Sequence, residues 1–132
     1  MKKTEKKTKV MIIDDDSEFL CELKEILEAA GYDVTKVSDN ARVIKTAAKV
    51  QPDIILIDLK MYPKSGFQLA DELRTQFETS KTPIISMSGY FTREEDGILR
   101  GICGIQEQVD KPFNPLDVIT VIERVTGGKR TG

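Results

Sequence analysis

Three short, mainly apolar runs punctuate the chain: Val10-Met11-Ile12-Ile13, Ile54-Ile55-Leu56-Ile57 and Pro83-Ile84-Ile85-Ser86-Met87. Runs of this length suit strands buried on both faces, as in a parallel sheet. Tyr32 to Val37 alternates more and reads as a half-buried strand. Ile105 to Val109 carries Gln106, Glu107 and Gln108 within it and belongs at a sheet edge.

Helical spacing fills the gaps. Phe19, Leu20, Leu23, Ile26, Leu27 and Ala30 recur at three- and four-residue steps, and Gly31 follows as a stop. Ser38 or Asp39 can cap a second helix running to about Val50, closed off by Pro52. Ser65-Gly66-Phe67-Gln68 has capping-box spacing for a third, with Phe67, Leu69, Ala70, Leu73 and Phe77 as its apolar side. Thr92-Arg93-Glu94-Glu95 has the same spacing for a fourth, weakened by Gly97 and ending near Gly101. Asn114 and Pro115 open a fifth through Leu116, Ile119, Ile122 and Val125. Strand and helix alternate five times, which predicts an α/β chain of the (βα)5 type. Right-handed crossovers make it a doubly wound parallel sheet, and the strand order 2-1-3-4-5 is one of two common solutions. Ligands bind such sheets beyond the carboxyl ends of the strands.

Composition narrows the chemistry. The 132 residues contain no histidine, so Ser-His-Asp and Cys-His catalysis, His-ligated zinc and a histidine phosphate carrier are all excluded within this chain. Cys21 and Cys103 form no C-x-x-C pattern and no disulfide framework, which points to a reducing cytoplasm. No apolar run approaches a membrane span. Charge is unevenly placed: residues 1–9 hold five lysines and one glutamate, a net of +4 against -2 for the whole chain. Residues 1–8 read as a basic flexible arm, 9–126 as the folded domain and 127–132 as a flexible tail. The arm could touch nucleic acid, but no recognition helix or aromatic platform supports that role.

The carboxyl ends of the strands carry the candidate chemistry: Asp14-Asp15-Asp16 after the first, Asp58 after the third, Ser88 after the fourth, and Asp110-Lys111-Pro112 after the fifth. Carboxylates gathered together repel and raise each other's pKa unless a cation sits among them. An all-oxygen set without histidine or thiolate favours Mg²⁺, held by one or two carboxylates plus waters. A carboxylate can also be the nucleophile that forms an aspartyl-phosphate. That reaction needs neutralisation of the phosphoryl charge by a metal and a lysine, and a hydroxyl donor. Asp15, Asp58, Ser88 and Lys111 supply those parts. The plainer reading is that aspartates at strand ends cap turns.

The blocks Val10 to Asp16, Asp53 to Met61 with Gly66, Pro83 to Gly89, and Asp110-Lys111-Pro112-Phe113 together resemble the response-regulator receiver domain, over about residues 8–126. The resemblance implies a flavodoxin-like fold in a two-component phosphorelay. A phosphoryl group would pass from the phosphohistidine of a sensor histidine kinase or phosphotransfer protein to Asp58. It further implies Asp15 as a direct Mg²⁺ ligand, Asp14 acting mainly through water, and the backbone carbonyl of Lys60 completing the set with Asp58. Ser88 would be the switch hydroxyl and Lys111 the lysine that pairs with the phosphoryl group, with a cis Lys111-Pro112 bond. Such a chain is a phosphoacceptor that promotes its own phosphorylation and dephosphorylation, not an enzyme acting on a separate substrate.

Three features depart from the family's habit or modify it. Tyr62 stands where the family usually has proline, with Pro63 one residue later. Gln108 stands where the family has tyrosine or phenylalanine, which puts the usual coupling between site and surface in doubt. Lys60 and Tyr90 stand two residues beyond Asp58 and Ser88. The resemblance implies that these positions flank the path of the attacking water, where the two side chains either obstruct hydrolysis and prolong the life of the phosphate or are ordinary rim residues.

With no output domain legible, the signal is expected to leave by binding a downstream target protein or by passing the phosphate on. A phosphorylation-independent protein-interaction module, a degenerate receiver, is the alternative. A haloacid dehalogenase-type phosphatase is rejected, because its nucleophile would end the first strand and here the candidate ends the third.

Overall fold

The computed structural model describes residues 7–88, 101, 104–111 and 114–127, with Ser88 described by its backbone alone. Five strands, β1 (Lys9–Ile13), β2 (Asp33–Val37), β3 (Ile54–Asp58), β4 (Ile84–Ser88) and β5 (Ile105–Asp110), form one sheet in the order β2-β1-β3-β4-β5. All four pairings are parallel, as the expected topology requires. The register between β4 and β5 shifts after Ile84, so that Ile84 faces Ile105 while Ile85 faces Glu107. β5 does lie at an edge, and only Ile105 and Val109 of it are buried.

The helices are α1 (Ser17–Ala29), α2 (Val43–Val50), α3 (Gly66–Thr75) and the C-terminal α4 (Pro115–Thr126). The helix expected over residues 92–101 falls almost wholly outside the described residues. Strand residues alternate between two cores. Met11, Ile13, Ile55 and Ile57 pack with Val43 and Ala47 of α2 and Leu69, Ala70 and Leu73 of α3. Val10, Ile12, Ile54 and Leu56 pack on the other face with Leu20, Leu23 and Leu27 of α1 and Val118 and Ile122 of α4.

Local capping explains most helix boundaries. Asp16 caps α1 by accepting a bond from the Phe19 N–H, and Gly31 follows its end at φ 100°. Ser65 and Gln68 form the reciprocal capping box of α3. Asn114 caps α4 with Pro115 at its first position. After β2, Asp39 caps a short 3₁₀ turn, Asn40–Arg42, so the α-helix proper starts only at Val43. Two core expectations are corrected. α3 ends at Thr75, which leaves Phe77 beyond it and 93% exposed, and Leu116, on the first turn of α4, is 68% exposed. No helix among the described residues is long and apolar enough to cross a membrane.

Candidate functional site

The three consecutive acids after β1 do three different things. Asp14 is buried, and its Oδ1 accepts a bond from the Asp16 N–H at 3.0 Å. Asp15 is exposed at the rim. Asp16 is the helix cap, so the turn-capping reading is right for this one residue.

Asp58 ends β3 next to them. Parallel pairing of β1 with β3 puts Ile13 beside Ile57, so the residues that follow emerge at the same sheet edge. Asp58 is only 8% exposed, and its Oδ1 accepts a long bond from the Lys60 N–H at 3.4 Å. Gly66 closes the loop behind it: its N–H donates to Leu59 at 2.9 Å, and a Cβ there would stand 2.2 Å from the Asp58 carbonyl oxygen. The Lys60 side chain is exposed.

Lys111 arrives from the end of β5. Its Nζ donates to Asp14 Oδ2 and stands 4.0 Å from Asp58 Oδ1, so one ammonium serves two buried carboxylates. The same Nζ lies 4.4 Å from the centre of the Phe19 ring, a cation–π distance. The sequence offered Phe19 only as part of an apolar helix stripe. Its place three residues after the Asp16 cap, on the first turn facing the site, was the available signal.

The electrostatics are unbalanced. Burial, then the charge of Asp14, push the Asp58 carboxyl up to about 6 from an ordinary 3.8, against the pull of Lys111 and of the Lys60 N–H; Asp15 adds to the rise. One lysine does not fully compensate these acids. Among the described residues no three His, Cys, Asp or Glu side chains are gathered as a ready-made metal cage. Mg²⁺ does not require one, since it keeps several waters and takes one or two carboxylates. An all-oxygen donor set that is short of positive charge fits such a hard cation.

Ser88 ends β4, where its backbone pairs with Asp110; its side chain, Tyr90, and the Lys111-Pro112 bond lie outside the described residues. The cis peptide found among the described residues is Tyr62-Pro63. Gln108 donates through Nε2 to Asp110 Oδ1 at 2.6 Å, and its Oε1 is 3.4 Å from the Ser86 hydroxyl. The glutamine is therefore tied along β5 toward the site rather than presented as an apolar side chain.

Asn40 was not among the candidates legible in the sequence. It is buried after β2, and its amide pairs with both backbone groups of Lys64 in the loop beyond Asp58. No short motif announces a contact across 24 residues.

Comparison with known proteins agrees with this architecture. The chain belongs to the response regulator receiver domain family, whose model matches residues 10–123. It is 30% identical over 110 residues to the alkaline phosphatase synthesis transcriptional regulatory protein PhoP of Bacillus subtilis, covering 83% of this chain and 45% of that protein. It is 31% identical over 117 residues to the DNA-binding dual master transcriptional regulator RpaA of Synechocystis, covering 89% and 47%. The chain thus spans about half the length of these relatives. Among solved structures, the chemotaxis protein CheY4 of Vibrio cholerae superposes with a TM-score of 0.86 at 28% identity, covering 91% of this chain and 99% of that one. The receiver domain of the sensor histidine kinase PA1611 of Pseudomonas aeruginosa, solved with magnesium in its active-site cleft, shares the fold at 22% identity and a TM-score of 0.82, over 92% and 99%.

Proposed function

We propose that this receiver accepts a phosphoryl group on Asp58 from the phosphohistidine of a sensor histidine kinase or a phosphotransfer protein. The observation that carries the reading is the placement of Lys111 between two buried carboxylates, bonded to Asp14 and 4.0 Å from Asp58.

The residues divide the work. An Asp58 oxygen attacks phosphorus, the bond from phosphorus to the donor imidazole nitrogen breaks, and its electron pair leaves with that nitrogen. Burial limits the motion of Asp58, one of whose oxygens lies 3.4 Å from the Lys60 N–H. Lys111 faces the charge that gathers on the transferring group. Ser88, at the end of β4, is the proposed hydroxyl donor to a phosphoryl oxygen. Mg²⁺, when bound, supplies charge neutralisation and a template for the phosphoryl oxygens. Asp14, Asp15, Asp58 and the carbonyl of Lys60 are its proposed ligands. Attack by water then returns the Asp58 carboxylate and inorganic phosphate.

The added negative charge favours arrangements in which Lys111 and Ser88 close on it, and a downstream protein reads the change. Exposed Lys60, beside the acceptor, is proposed to slow the entry of water and lengthen the life of the phosphate.

Incubation with Mg²⁺ and phosphoramidate, followed by intact-mass measurement, tests the reading. A gain of one phosphoryl group that is lost without Mg²⁺ and in Asp58→Ala is expected. No gain under conditions that phosphorylate another receiver would favour a phosphorylation-independent binding module.

A further inference from the structure

We infer that Asn40 is a positioning residue for the phosphoacceptor site, acting through the β3–α3 loop. The inference rests on the reading of Asp58 given above.

Asn40 is 7% exposed, at the start of the 3₁₀ turn after β2. It is not needed as a cap, because Asp39 already accepts the Ala41 N–H at 3.0 Å. Its side-chain amide instead reaches across to Lys64. Nδ2 donates to the Lys64 carbonyl at 2.7 Å, and Oδ1 accepts the Lys64 N–H at 3.3 Å. An asparagine amide carries the same donor and acceptor as a peptide unit, so it pairs with a backbone segment as a neighbouring strand would.

The segment so held is the one that shapes the site. Between Asp58 and Ser65 the chain has no regular secondary structure. Leu59 and Met61 point into the core, each 5% exposed, with Lys60 between them facing out. The loop is tied at its base by the Gly66–Leu59 bond and at its far end by Asn40. The Lys60 N–H sits between these two anchors and holds Asp58 only through a contact of 3.4 Å. So long a bond orients little by itself; the anchors decide where the Lys60 peptide faces. The Lys64 side chain has a separate tie to Glu72 on α3, so losing Asn40 frees the loop backbone without freeing that ammonium.

Asn40→Ala removes both bonds. Asn40→Asp keeps the shape and the acceptor but loses the donor to Lys64, and serves if the alanine variant does not fold. The readouts are the Mg²⁺ dissociation constant by calorimetry, the phosphoramidate labelling rate, and hydrogen exchange of the Lys60 amide in metal-free protein. Ile122→Ala, in the opposite core, is the control for plain destabilisation. In whichever Asn40 variant folds, Mg²⁺ binding and labelling should weaken about tenfold, as for loss of a supporting hydrogen bond behind a metal ligand. Lys60 exchange should accelerate, while Ile122→Ala changes none of the three by more than about twofold, the ordinary spread for distant sites. Parent-like Mg²⁺ affinity, labelling and Lys60 exchange in the Asn40 variant would overturn the inference, whatever its stability. If the parent itself neither binds Mg²⁺ nor takes up phosphate, the reading of Asp58 fails instead, and the Lys60 exchange rate still decides the role of Asn40.

Discussion

Lys111 and Asp14, 97 residues apart in sequence, meet through a direct bond between Nζ and Oδ2, and the ammonium also faces Asp58 at 4.0 Å. The contact joins the ends of β1 and β5, on opposite sides of β3 and β4 in the sheet. It makes Lys111 the resident counter-cation of the acids and a competitor of any metal at Asp14.

Lys111→Met should therefore separate binding from chemistry. Breaking a buried pair and leaving the acid uncompensated costs about 3 kcal/mol of stability in metal-free protein. Mg²⁺ should bind at least as tightly, because nothing then competes at Asp14. Phosphoryl uptake should fall roughly a hundredfold, as for loss of one charge-stabilising donor. Urea unfolding, calorimetry and labelling rates on one preparation check all three.

The titration of Asp58 gives a pH signature. Its folded-state value of about 6 lies above the ordinary 3.8, so the folded protein keeps a proton that the unfolded chain has already released. The stability this group contributes is fully present below pH 3.8 and is lost as pH rises through 6. Solvent screening at this partly open site keeps the loss at neutral pH below the roughly 3 kcal/mol that the full shift would give. Without metal, Asp58→Asn should be more stable than the parent at pH 7.5, and the difference should shrink toward pH 4. Saturating Mg²⁺ should stabilise the parent and not the variant. Urea titrations across this range, with chelator and with Mg²⁺, measure both effects.

Gly66 has no room for a side chain, with the Asp58 carbonyl 2.2 Å from where a Cβ would sit. The obstacle is backbone on the strand that carries the acceptor, so it cannot swing aside. Gly66→Ala should cost about 3 kcal/mol, the upper part of the range for overpacking. Its Mg²⁺ affinity should fall as well, because relief must come from moving the Asp58 peptide. An unchanged urea midpoint would show that the loop relaxes freely.

Gln108 donates through Nε2 to Asp110 Oδ1 at 2.6 Å, beside the site. Gln108→Ala should leave phosphoramidate labelling of Asp58 within about twofold of the parent, because the altered atoms lie outside the reacting set. A labelling rate reduced tenfold would show that the bond to Asp110 helps to place Lys111.

Much of this was legible in the sequence because it is locally encoded. Unbroken apolar runs marked β1 and β3, and the Ser65–Gln68 box marked the start of α3 to the residue. Asp14, Asp58 and Lys111 were legible because each directly follows or ends a strand, and a parallel sheet brings such ends together. What was hidden depends on tertiary contact. Phe77 keeps the helical period of α3, yet the helix stops at Thr75, where the Thr79 hydroxyl bonds the Leu73 carbonyl and turns the chain away. The partners of Asn40 and Phe19 are set by tertiary contact, one a loop backbone and the other the ammonium of Lys111 just after β5.

The central claim is that Asp58, and not its acidic neighbours, carries the phosphoryl group. Borohydride reduction of the labelled protein converts an aspartyl-phosphate to homoserine, and peptide mass spectrometry then locates it. Homoserine at position 58 is the predicted result. Homoserine at Asp14 or Asp15, or full labelling with no homoserine at any aspartate, would contradict the account.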